Sequence, residues 1–281
     1  MKGEKRGKHL SLFCPLRETK NGRFKMKVRE KKTYSGKTLE PEFFMVTENG
    51  RVYTRGTKKK ISRAVQKQLN DKNARKYLRR LMDANFDESG YYCTFTYEDS
   101  EMPLSYADCK RDVNNFLKRL RRAMAKLGIE LKYIYVIEIK VSKKTGVARY
   151  HLHIVINGGL SRSEVKAIWG KGYIRQVEEL QPDEHGFQRL ANYFCKEWNN
   201  SLLPDKRKRY TPSRNLKQPK TPPPKDGVFS ARHLEKLCKQ RIDDAAYWER
   251  RYKGYRFIDA QAEYNEDYGT WHLSLFMRKK E

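Results

Sequence analysis

The chain has 281 residues, with 62 Lys and Arg against 34 Asp and Glu, for a formal charge of +28. That length can bury a full core, enough for one catalytic domain with appended pieces, and the charge calls for a polyanion, a nucleic acid ahead of a membrane surface. Five scattered cysteines without a C-x-x-C pair exclude a disulfide framework or zinc ribbon; no apolar run approaches the roughly 18 residues of a membrane span, and no h-region follows Met1–Arg6, so a reducing, cytoplasmic location is expected.

Short mixed segments at Phe24–Val28 and Phe43–Val46 are candidate strands. Residues 61–83 place Ile61, Val65, Leu69, Leu78, Leu81 and Met82 at helical spacing, with Asn70-Asp71 as a break into two helices. Tyr91–Tyr97 is rich in aromatic and β-branched residues and reads as a strand. Ser105–Asp108 resembles a capping box, opening a helix with Val113, Phe116, Leu117, Leu120, Met124 and Leu127 on one side and Gly128 as its C-cap. The other side carries Lys110, Arg111, Lys118, Arg119, Arg121, Arg122 and Lys126. Such a face is solvated, or contacts phosphates where a nucleic-acid site lies beside it.

Tyr133–Lys140 is a second strand, Lys143–Gly146 a turn signal and Arg149–Asn157 a third strand, stopped by Gly158-Gly159. Ser161–Glu164 caps a short helix with Val165, Ile168 and Trp169, and a fourth strand follows near Tyr173–Val177. A loop with Pro182 and Gly186 leads to a helix over Phe187–Asn199. Residues 204–227 are rich in Pro, Lys and Arg and read as an extended linker or arm. A helix near Ala231–Arg251 and a β-hairpin of Tyr255–Tyr264 and Thr270–Arg278 complete the chain as read.

The third strand carries His151-Leu152-His153. Side chains alternate along a strand, so both imidazoles point one way while Leu152 and Ile154 point the other. Two imidazoles rarely complete a metal site. If strands 133–140 and 149–157 pair about a turn centred between Lys144 and Thr145, Glu138 sits opposite His151 and on its face. A register slip of one residue would send Glu138 to the other face. A carboxylate between Ile137 and Ile139 needs a nearby cation to be buried there. Two imidazoles and a carboxylate with open positions suit one Mn²⁺ or Mg²⁺ ion activating a phosphodiester, and zinc fits the ligands too. The competing reading is a pair of strand histidines satisfied by hydrogen bonds.

The segment Gln188–Asn200 offers a nucleophile. Leu190, Phe194 and Trp198 form an apolar stripe, with Arg189, Tyr193, Lys196 and Asn200 within an arc of about 60° beside it. Positive charge one turn away on either side favours a phenolate at Tyr193 and could hold a transition-state phosphate. The competing reading is a tyrosine at the rim of a core helix.

Taken together these segments, from about residue 75 to 200, resemble the HUH endonucleases, specifically the rolling-circle replication initiators of phages, plasmids and integrative elements. Thr94-Phe95-Thr96-Tyr97 is similar to the family's first motif, and Asp112–Arg122 to the basic helix after it. His151-Leu152-His153 matches the histidine–hydrophobe–histidine motif, Glu138 stands where a third ligand is often found, Trp169–Tyr173 resembles a segment of the phage and integrative-element branch, and Tyr193-Phe194-Cys195-Lys196 matches Tyr-x-x-Lys.

The resemblance implies an α+β fold, a central antiparallel sheet with flanking helices, here with basic N- and C-terminal extensions. It implies a metal-dependent, single-tyrosine endonuclease that nicks and rejoins single-stranded or origin DNA through a 5′-phosphotyrosyl link. Tyr193 is then the nucleophile, Lys196 its positioning and charge partner, and Glu138, His151 and His153 the metal ligands. Lys118, Arg119, Arg121, Arg122 and Arg189 are the expected DNA contacts. No helicase domain is visible, so a separate helicase and a polymerase are expected partners. The expected division is a basic extension over 1–74, the nicking domain over 75–203, a linker over 204–230 and a C-terminal piece over 231–281. A relaxase would use the same chemistry; a water-using hydrolase and a non-catalytic nucleic-acid-binding protein with structural histidines are the other readings of these residues.

Overall fold

The computed structural model describes residues 26–47, 63–141, 146–172, 174–196, 209–266 and 268–280. Cys14, Ile61, Trp198, Asn200 and the turn at 143–145 lie outside them. In chain order the elements are β1 (Met26–Ser35), β2 (Thr38–Thr47), α1 (Arg63–Asp83), β3 (Tyr91–Phe95), α2 (Tyr106–Lys126), β4 (Tyr133–Val141), β5 (Ala148–Ile156) and α3 (Arg162–Trp169). Then follow β6 (Ile174–Glu179), α4 (Gln188–Phe194), β7 (Thr211–Pro212), β8 (Lys225–Asp226), α5 (Ala231–Gln240), α6 (Ala245–Arg251), β9 (Tyr255–Asn265) and β10 (Thr270–Lys279). Among the described residues this is an α+β architecture of two antiparallel sheets and six α-helices, as expected. No helix of these residues is long and apolar enough to cross a membrane.

The chain forms two compact units, one of residues 1–33, 40–60 and 221–281, the other of 34–39 and 61–220. These do not follow the boundaries expected at 74, 203 and 230. The N-terminal strands share a sheet of order β8-β1-β2-β10-β9 with the C-terminal hairpin, a pairing between distant segments that local patterning does not reveal. The expected linker also carries structure. β7 adds to the edge of the second sheet, with Tyr135 opposite Thr211, and β8 pairs with β1, with Arg29 opposite Asp226.

The second unit holds the sheet β6-β3-β5-β4-β7 between two helical layers. Alternation assigns its two faces. Cys93, Phe95, Tyr135, Ile137, Leu152, Ile154 and Ile156 form one core with the apolar side of α2 and with Val165 and Trp169 of α3. Ile134, Val136 and Val155 form another with Leu78, Leu81 and Met82 of α1 and Ala191 and Phe194 of α4. Helix α2 starts as its sequence predicts: the Ser105 hydroxyl accepts the Asp108 N–H at 3.2 Å.

Two helices differ from expectation. Asn70-Asp71 does not break α1, which runs unbroken for 21 residues; Asn and Asp cost a helix only about half a kcal/mol each, and Arg209 pairs with Asp71 and donates to the Asn70 carbonyl at 3.1 Å. The single helix expected over 231–251 is two, α5 and α6, because Asp244 starts the second by accepting the Tyr247 N–H at 2.9 Å.

The Trp169–Gly172 segment secures the end of β3. The Trp169 indole is fully buried, stacks on Phe95 at 4.9 Å and donates to the Thr96 carbonyl at 3.0 Å. Gly172, at φ +149°, passes so close to this strand end that a Cβ would lie 2.5 Å from the Glu98 nitrogen.

Candidate functional site

The strand register puts Glu138 of β4 directly opposite His151 of β5, and Val136 opposite His153. The pairing is centred where the sequence places it, so Glu138, His151 and His153 share the face covered by α1 and α4. β3 lies on the other side of β5, with Thr94 opposite His153 and Tyr92 opposite Val155. Tyr92 and Thr94 therefore join the histidine face as well.

His153 is the hub of this face. Its Nε2 is 2.7 Å from Glu138 Oε2. Its Nδ1 is 2.9 Å from the Tyr92 hydroxyl and 3.2 Å from Thr94 Oγ1. Both groups of the Glu138–His153 pair are buried. Lys140, two residues along β4 and so on the same face, brings its ammonium to 3.0 Å from Glu138 Oε2. Burial works to raise the Glu138 acidity constant, but the hydrogen bonds and positive charge of His153 and Lys140 outweigh it and hold the carboxyl well below the usual range. Burial likewise pushes the Tyr92 phenol well above its ordinary value, so it keeps its proton near neutrality.

Tyr193 arrives from α4. Its ring meets the His153 imidazole edge to face, with centroids 5.1 Å apart, and the Tyr92 ring at 6.0 Å. The two phenols also interact through their hydroxyls. Lys196 Nζ lies 4.7 Å from the centroid of the Tyr193 ring. The start of α4 is held by Asp83 at the end of α1, whose carboxylate accepts the Phe187 N–H at 2.9 Å. Gly186 allows this approach, since a Cβ there would lie 2.3 Å from Asp83 Oδ1 and the backbone has φ +65°.

A cavity of about 600 Å³ opens beside Tyr193 and Tyr92 over the apolar side chains of Leu180, Phe187 and Leu190. Arg162 and Arg189 stand on its walls, each beside a carboxylate: Arg162 to Glu179 at 2.8 Å and Arg189 to Asp183 at 3.0 Å. The Arg189 side chain is 91% exposed.

The other expected DNA contacts lie elsewhere. Lys118, Arg119, Arg121 and Arg122 are on the exposed side of α2, which covers the opposite face of the sheet from His153. Arg119 donates to the carbonyls of Ile168 and Trp169, each at 3.1 Å, and so ties down the end of α3. Tyr92 and Thr94 were missed as site residues because their placement depends on β3 pairing with β5. Their signal, two polar side chains two apart in a strand, becomes readable only once that neighbour is known.

Among the described residues, no three His, Cys, Asp or Glu side chains converge closely enough to hold a metal ion. The donor set of two imidazoles and a carboxylate is nonetheless one that Mn²⁺ or Mg²⁺ accepts. The 2.7 Å between Nε2 and Oε2 is near the ~3 Å edge between adjacent ligands of an octahedral ion. Seating an ion there calls for Glu138 and His153 to part slightly and His151 to turn toward them.

Residues 90–200 match the family model of replication-associated protein ORF2/gene II protein. The match is consistent with a rolling-circle replication initiator of HUH type and supports a role in DNA replication. The matched segment contains Tyr92, Glu138, His151, His153, Tyr193 and Lys196. No curated protein and no solved structure matches the chain.

Proposed function

We propose that the chain nicks and rejoins single-stranded origin DNA to start rolling-circle replication, with Tyr193 as the nucleophile. The observation that carries this reading is the meeting of Tyr193 with the Glu138–His153 pair, its ring 5.1 Å from the imidazole and its face under the Lys196 ammonium. A buried carboxylate, a histidine and a tyrosine from three different elements have no shared packing need that explains their convergence. The Tyr193 oxygen attacks the scissile phosphorus, forming a 5′-phosphotyrosyl bond. The bond from phosphorus to the 3′ oxygen breaks, the phenol gives up its proton, and the leaving 3′ oxygen takes one up. Lys196 offsets charge on the phenol and the phosphate. Glu138, His151 and His153 would hold one Mn²⁺ or Mg²⁺ ion, which supplies polarisation of the scissile phosphate. Rejoining is the same transfer in reverse, with a 3′-hydroxyl as the attacking group. A separate helicase and polymerase would act with the chain, in the cytoplasm.

The test is incubation with single-stranded oligonucleotides spanning candidate origins, with Mn²⁺ or Mg²⁺. Cleavage with a covalent protein–DNA adduct that Tyr193→Phe abolishes supports the reading; cleavage that survives this substitution points to water as nucleophile. A non-catalytic nucleic-acid-binding role is favoured by one observation, that both ring nitrogens of His153 already have hydrogen-bond partners. Binding without cleavage under any divalent ion would establish it. A relaxase shares this chemistry and differs in the origin it cuts.

A further inference from the structure

The Tyr92 hydroxyl has three neighbours. Thr94 Oγ1 donates to it at 3.1 Å, His153 Nδ1 lies at 2.9 Å, and the Tyr193 hydroxyl shares a hydrogen bond with it. A phenol has one proton to donate and two acceptor positions. Thr94 fills one acceptor position, so the proton on His153 decides the use of the other. When His153 Nε2 donates to Glu138, a neutral ring has only a lone pair at Nδ1, and the Tyr92 proton is drawn to it. When Nε2 instead directs its lone pair at a divalent ion, the ring proton sits on Nδ1. Nδ1 then donates to the Tyr92 oxygen, and the Tyr92 proton is left for the Tyr193 oxygen.

We propose that Tyr92 is a positioning residue that couples His153 to the nucleophile, its hydroxyl donating to the Tyr193 oxygen when Nε2 of His153 faces a divalent ion. The inference rests on the nicking reading above. Thr94 orients the coupling by fixing one lone pair of the phenol. The donated hydrogen bond aims the Tyr193 oxygen toward the cavity that both tyrosines line. It also favours negative charge on that oxygen as its proton leaves, and again when the phosphotyrosyl bond breaks on rejoining. Tyr92 touches no reacting phosphorus, so its effect passes through Tyr193 and His153.

The test uses the full chain and Tyr92→Phe, which keeps the ring and removes only the hydroxyl. Three quantities are measured: Mn²⁺ affinity without DNA, by electron paramagnetic resonance; affinity for a pool of single-stranded oligonucleotides with a randomised centre; and the single-turnover rate of adduct formation on that pool at saturating Mn²⁺. The expected result is a Mn²⁺ affinity and an adduct rate each about tenfold lower, with oligonucleotide affinity unchanged. Thr94→Val, which removes the donor to Tyr92, moves the same two quantities in the same direction by less, and both variants keep a cooperative thermal unfolding transition. An adduct rate in Tyr92→Phe equal to that of the unsubstituted protein overturns the inference and leaves the nicking reading standing. A slower rate with unchanged Mn²⁺ affinity overturns the coupling to His153. Absence of any adduct with the unsubstituted protein overturns the nicking reading and this inference with it.

Discussion

Tyr193 on α4 meets His153 on β5 edge to face, their ring centroids 5.1 Å apart and their planes at 81°. The contact joins the helix that carries the candidate nucleophile to the strand that carries the candidate ligands. Tyr193→Phe keeps this ring contact and removes the oxygen. It is expected to abolish adduct formation, with a fall of at least ~10³-fold in cleavage rate, while oligonucleotide affinity and melting temperature stay near those of the unsubstituted protein. Gel-shift of the covalent adduct and a parallel binding titration check both halves.

Removing His153 strips Glu138 of its buried partner. The carboxylate then keeps only Lys140, whose side chain is more than half exposed. His153→Ala is expected to cost about 3 kcal/mol of stability, because a buried charge losing its partner retains its desolvation penalty. Urea unfolding of the metal-free protein measures this. A change under about 0.5 kcal/mol, the range of ordinary surface substitutions, would mean that the pair contributes little to folding.

Acid should act through the same carboxyl. Its value in the folded protein is depressed to about 2 from the ordinary 4.5. A depressed acid contributes stability that is complete above its unfolded value and is lost as pH falls through its folded one. Metal-free protein should therefore lose stability between pH 4.5 and about 2 partly through Glu138. Glu138→Gln should flatten that part of the profile, as read by thermal melts across the range.

Asp83 holds the start of α4 through the Phe187 N–H, with its carboxylate buried beside Gly186. Asp83→Ala leaves that N–H without its acceptor and frees the helix to shift. The expected outcome is a loss of about 1–2 kcal/mol and a fall in adduct rate of about tenfold, since an ångström of misplacement at a nucleophile can cost up to about 10² in rate. Unfolding and single-turnover measurements on the one variant separate the two effects.

The exposed basic face of α2 lies across the sheet from His153. Replacing Lys118, Arg121 and Arg122 together by Ala should weaken single-strand binding without changing the adduct rate at saturating DNA. If all three contact phosphates, the slope of log affinity against log salt should drop by about 2. An unchanged slope would show that this face is merely solvated. Arg119 is left out because it supports the end of α3.

Much of the site was readable in the chain itself. His151 and His153 sit two apart in an apolar strand, so the period of a strand puts them on one face. The turn between β4 and β5 is short, so residue numbers alone centre the pairing and bring Glu138 opposite His151. Helix α4 is local too, and its 3.6-residue repeat puts Tyr193 beside the apolar stripe of Leu190 and Phe194. Only the tertiary structure decided the contacts between segments distant along the chain. It paired β3 with β5, which made Tyr92 and Thr94 neighbours of His153. It packed α4 on the histidine face and α2 on the other, separating Tyr193 from the basic residues expected to act beside it. It also joined β1 and β2 to the C-terminal hairpin in one sheet, where the sequence suggested two separate extensions. Local periodicity sets the direction of a side chain relative to its own backbone. Which face of which element it meets depends on how apolar surfaces from distant segments bury one another, and no short window of sequence contains that information.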